Sequence, residues 1–134
     1  LDTTLANMRG AIDLYYQQHG KYPGDLTSIG TACAAGPSGT TGTGAADNEA
    51  AFLHQMAFYT NSSGESCTIS DTAFKFGPYM KKRAMPKNPF TDSSTVAIST
   101  AGALGMSSSS TTGGWKYDTT TGQFIADHSS YDDR

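Results

Sequence analysis

Residues 1–24 read LDTTLANMRGAIDLYYQQHGKYPG, and the apolar positions in this run decide how the fold begins. Leu1, Leu5, Met8, Ile12 and Tyr15 recur at steps of four, three, four and three, which places them on one stripe of an α-helix. Leu5, Met8, Ile12 and Tyr15 are therefore the expected core face of that helix. The helix is expected to stop at His19-Gly20, with Gly20 as the C-terminal cap residue and Pro23 unable to continue it. Asp2, Thr3 and Thr4 are candidate caps at the other end, but the stripe already includes Leu1. Such a start fits a helix cut in its middle, and a chain that begins with Leu instead of Met is expected to have lost an upstream piece.

Working outward, residues 31–47 (TACAAGPSGTTGTGAAD) hold small residues, one Pro and no hydrophobic periodicity, and read as a flexible connection. A shorter helix is expected from about Asn48 to Tyr59, with Phe52, Met56 and Tyr59 on its apolar side. The stretch FKFGPYMKKRAMPKNPF, residues 74–90, carries Pro78, Pro86 and Pro89, which exclude a continuous helix or a central strand. Its aromatics are expected to pin an irregular loop to the core. Ser94–Ser99 (STVAIS) has the β-branched content of a short strand. Trp115–Asp118 and Gln123–Asp127 flank Thr119-Thr120-Thr121-Gly122, a hairpin signature with Gly where a positive φ is wanted. The expected fold is α+β: a long N-terminal helix (1–20), a variable loop region with a short helix (31–90), and a small antiparallel sheet (94–127) that buries its apolar face under the helix.

The chain has 134 residues, enough for one domain with a modest core. Its 9 basic and 12 acidic side chains nearly balance, so total charge alone implies neither a nucleic-acid nor a membrane partner. No run approaches the ~20 apolar residues of a membrane-spanning helix. The two cysteines, Cys33 and Cys67, sit in polar, loop-like surroundings. In an oxidising compartment they would form one disulfide worth roughly 4 kcal/mol in the chain-entropy treatment, whereas in a cytosol they would be two thiols. No second ligand pair accompanies them to suggest a metal.

Catalytic constellations are weak. His19, His54 and His128 are scattered, with no HExxH and no GxSxG elbow, and the expectation is a protein that is not an enzyme. Gly39, Gly42 and Gly44 lack the preceding strand and following Lys of a phosphate loop. Asp118, Asp127, Asp132 and Asp133 gather carboxylates near the C-terminus; they leave Ca²⁺ possible but show no EF-hand spacing, and a solvated acidic tail is the favoured reading. No cofactor is expected. Lys75, Lys81, Lys82, Arg83 and Lys87 form a basic patch with no acid between Asp71 and Asp92. It suits a solvated edge or a subunit contact better than nucleic acid.

Three segments carry a family likeness. Leu5–Gly24 resembles the second half of the long helix of type IV pilin-like proteins and type II secretion major pseudopilins, which ends in a Tyr-Pro turn. Phe76–Phe90 is similar to their Gly-Pro-Tyr segment and Pro-Asn-Pro turn, and Gly113–Asp127 to their closing hairpin with a Trp-x-Tyr strand. The resemblance implies a pilin-like head domain, a structural subunit of a bacterial pilus or pseudopilus. It also implies an upstream hydrophobic helix half that anchors the subunit in the inner membrane and later builds a homo-oligomeric filament with other pilin-like subunits, periplasmic or extracellular. A disulfide between Cys33 and Cys67 is expected for a protein maturing there. The family's Ca²⁺ loop does not align with Thr100–Asp118, and both cysteines precede the hairpin. An adhesin-like or DNA-uptake pilin using residues 75–87 is the alternative.

Overall fold

The computed structural model describes residues 1–29, 41–102, 106–109 and 112–132. Helix α1 spans Asp2–His19 and buries Leu5, Met8, Ile12 and Tyr15. Each of these side chains, withdrawn from water, contributes roughly 2 kcal/mol. Gly20 ends the helix at φ 73°, where its N–H donates to the Tyr16 carbonyl at 2.8 Å; a side chain there would be strained. Leu1 provides no side-chain cap.

Helix α2 spans Glu49–Ala57, opened by the Asn48 side chain accepting from the Ala50 N–H at 2.9 Å, a regular N-cap. It ends two residues short of Tyr59, because Phe58 is already extended. Tyr59 instead enters β1 (Tyr59–Thr60), which pairs antiparallel with β2 (Ser66–Cys67). The aromatic and β-branched run after Ala57 prefers a pleated strand to another helical turn. Phe52 and Met56 are fully buried.

The three-stranded sheet consists of β3 (Val96–Ser99), β4 (Trp115–Asp118) and β5 (Phe124–Ala126), in that spatial order. It is mixed, not antiparallel. The hairpin β4–β5 is antiparallel with Tyr117 opposite Phe124, but β3 runs parallel to β4 with Val96 opposite Trp115. The connection from Thr100 to Gly114 exceeds the dozen or so residues that a parallel crossover needs, so nothing forces a hairpin there. Gly122, at φ 74° in the β4–β5 turn, also lies where a Cβ would come within 2.3 Å of the Tyr22 ring.

One apolar cluster joins the α1 stripe to Phe52 and Met56 of α2, Met85, and Val96, Trp115, Tyr117 and Phe124 of the sheet. Phe52 and Tyr117 meet at 4.3 Å between centroids, Trp115 and Phe124 at 5.4 Å. Arg9 donates from Nε to the Phe124 carbonyl at 3.0 Å, tying α1 to β5, and Glu49 accepts the Val96 N–H, tying α2 to β3.

Residues 41–47, read as part of a flexible connection, are a fitted strap. Gly42 donates to the Ser66 carbonyl, Ser28 to that of Gly44, and Asp47 to that of Gly24. Gly42 and Gly44 are buried, so their small size serves close approach. Gln55, buried in α2, accepts from the Gly24 N–H at 2.6 Å and donates to the Leu26 and Gly64 carbonyls. One amide thus ties α2 to the turn after α1 and to the turn at Gly64.

Cys67 is not in a loop. It is buried in β2 and is disulfide-bonded, while Cys33 lies outside the described residues. Mass spectrometry of the unreduced protein is expected to show the mass of one Cys33–Cys67 bridge, and reduction is expected to remove roughly 4 kcal/mol of stability; two thiols that alkylate without reductant would refute the pairing.

Candidate functional site

The segment from Tyr79 to Lys87 runs back along α1. Its start is fixed where the Tyr79 and Met80 N–H groups both donate to the Met56 carbonyl and the Tyr79 ring meets Tyr15 edge-on at 5.4 Å. Its end is fixed where Trp115 donates from Nε1 to the Pro86 carbonyl at 2.8 Å. Between α1 and this segment lies a groove of about 900 Å³. Met8, Met80 and Met85 supply apolar wall, and Lys81, Lys82 and Lys87 form the rim.

The five basic residues are all exposed but do not act alike. Lys75 lies 5.5 Å from the Phe76 ring centroid, and Arg83 lies 5.1 Å from that of Phe58 while donating to the Thr68 carbonyl. Both make cation–π contacts. Lys87 forms an exposed 3.7 Å pair with Asp92, a geometry worth little in water. Among the described residues, Lys81 and Lys82 have no acidic partner.

A second groove, of about 670 Å³, flanks the other side of α1 beside Arg9, Asp13, Gln123 and Asp132. Several of its polar groups already serve the fold: Arg9 holds Phe124, Gln123 accepts from the Met106 N–H, and Asp132 accepts from that of Ser108.

The acidic residues read as a solvated tail are divided. Asp118 and Asp127 are buried. Asp118 accepts the N–H groups of Thr120, Thr121 and Gly102 at 2.7, 3.0 and 3.0 Å. Burial pushes its carboxyl up, but these donors outweigh that and hold it below the usual range. Asp127 accepts from the Ser109 N–H and hydroxyl, organising the chain before β4. Asp133 lies outside the described residues. Among the described residues, no group of three or more His, Cys, Asp or Glu side chains is placed to hold a metal ion.

His19 was legible only as a residue beside the cap. Its ring stacks on Tyr15 at 3.8 Å and meets Phe76 at 5.0 Å. Nδ1 donates to the Tyr15 carbonyl, leaving Nε2 to accept from the Thr60 hydroxyl. Burial lowers its proton affinity, against the opposing carbonyls of Tyr15 and Asn61. His54, stacked on Phe58 and accepting the Thr43 N–H, is also lowered by burial. Both groups favour the neutral form in the fold. Stability is therefore at its plateau above the ordinary imidazole value of 6.5 and falls as pH drops below it towards the folded values. Thermal melts between about pH 7.5 and about pH 5.5 are expected to show that fall, flattened in the double variant His19→Gln with His54→Gln; an unchanged slope in that variant would assign it elsewhere.

The chain matches no protein-family model, no curated protein and no solved structure.

Proposed function

We propose that this chain is the head of a filament subunit of the type IV pilin class, pilus or type II secretion pseudopilus, whose work is assembly and not catalysis. The observation that carries this reading is that the three pilin-like segments pack on one another. Tyr117 of the hairpin donates to the Pro23 carbonyl of the Tyr-Pro turn at 2.6 Å. Trp115 donates to Pro86 of the Pro-rich segment, and Tyr79 of that segment packs on Tyr15 of α1. A likeness scattered over unrelated surfaces would carry less. No helix among the described residues is long and apolar enough to cross a membrane; in this reading an apolar helix continuous with α1 anchors the subunit in the inner membrane and then forms the filament core. Antibody raised against residues 1–134 is expected to label filaments sheared from the source cells. Antigen found only in cytosol, or only as free secreted monomer, would overturn the assignment.

The same basic segment is a poor nucleic-acid platform. Stacking requires aromatic rings open to solvent, and Phe76 and Tyr79 are both half-buried, Phe76 against His19 and Tyr79 against Tyr15. Anisotropy titration with duplex DNA is expected to give a Kd weaker than about 100 μM at physiological salt. Tight, salt-sensitive binding lost in Lys81→Ala with Lys82→Ala would instead favour a DNA-uptake pilin.

A further inference from the structure

The charge of this chain is divided by position. Five of the nine basic side chains lie in residues 75–87, which hold no acid, leaving four against twelve acids for the rest. The cationic part that carries no partner among the described residues, Lys81 and Lys82, rims the methionine-walled groove beside Thr4–Ala11 of α1. At 1.5 Å per residue that helix is about 27 Å long, and a complementary surface lies past its other end. There Leu26 and Ile29 stand 39% and 47% exposed. Asp25 adjoins them, with no cationic partner among the described residues. Asp47 is brought alongside by its hydrogen bond to the Gly24 carbonyl.

We propose that the groove between α1 and residues 79–87 seats a second copy of this chain, which inserts Leu26 and Ile29 and sets Asp25 and Asp47 against Lys81 and Lys82. The proposal deepens the filament reading and rests on it for its biological setting. Apolar surface meets apolar surface, and unlike charges meet at the rim, where they fix register and choose the partner more than they add affinity. Seat and insert are different surfaces, so a copy that fills its neighbour's groove still offers its own. Such a heterologous contact continues without closing. Two inserted apolar side chains and a few rim charges make a contact far smaller than a stable interface, and it is weak by itself: the isolated chain is monomeric at micromolar concentration and associates only near the millimolar range.

Sedimentation and chemical-shift titration of the 134-residue chain at about 1 mM and low salt are expected to show open-ended self-association. Lys81→Glu with Lys82→Glu breaks the seat, and Asp25→Asn with Leu26→Gln, which adds no charge to answer the reversed seat, breaks the insert. Each variant alone is expected to associate at least about tenfold more weakly, with melting temperatures checking that both remain folded. Mixed in equal amounts, the two are expected to form a heterodimer and stop, because one intact seat meets one intact insert. Wild-type chain that stays monomeric, variants that associate undiminished, or a mixture that does not pair would each overturn the contact. Labelled filaments alongside a monomeric wild-type chain would remove the contact and leave the filament reading, and pairing without labelled filaments would do the reverse.

Discussion

Replacing Leu5 by Asp is expected to lower the melting temperature by at least about 10 °C. Leu5 is 1% exposed, within the stripe that α1 lays on the sheet. The substitution removes its apolar burial and puts an unpaired carboxylate in the cluster, a combination that costs more than about 4 kcal/mol. Total stability for domains of this size is about 5–15 kcal/mol. Met8→Asp acts through the same stripe. Ser107→Ala, at an exposed position, is expected to stay within about 0.5 kcal/mol of wild type. Circular-dichroism melts separate the cases: a Leu5→Asp chain that melts like wild type would mean that α1 is not the element on which the fold is built.

The second large effect is expected at Gly44, where adding one methyl group costs about 3 kcal/mol. A Cβ at this position would lie 1.9 Å from the Ala51 nitrogen and 2.3 Å from the Ala50 carbonyl carbon. Both are backbone atoms of α2, so no side chain can swing away. The strap must lift, and with it the hydrogen bonds that Gly44 makes to Ser28. Urea titration of Gly44→Ala beside Thr43→Ala, its exposed neighbour, checks this. Equal midpoints for the two variants would show that the strap yields freely.

The elements legible in the sequence are those whose signal is local. The α1 stripe follows from apolar spacing, its end from Gly20 and Pro23, and the β4–β5 hairpin from a Thr-Gly turn between two short runs. Strand direction is not local, because Val96 and Ile98 have the same β propensity whichever way the neighbouring strand runs. The sense of β3 is settled by a long crossover whose residues carry no pattern. The strap was illegible for a different reason: glycines that permit flexibility and glycines that permit contact are the same letters, and only the proximity of α2 tells them apart. Likewise Asp118 and Asp127 read as solvent-loving until the N–H groups that surround them are in place. The basic segment was visible as charge. What sequence did not reveal was that Lys75 and Arg83 face aromatic rings while Lys81 and Lys82 remain available beside a methionine wall.

Two contacts at the margins of the three-stranded sheet bear on how such a chain avoids aggregation. An unpaired strand edge is a template on which other chains can zip up by backbone hydrogen bonding. On β3, Glu49 occupies the Val96 N–H; on β5, Arg9 occupies the Phe124 carbonyl. Each is a charged side chain reaching from a helix to a backbone group that an incoming strand would need. Cross-β growth is thereby obstructed at both margins. At high local concentration the fold thus withholds these backbone groups from aggregation.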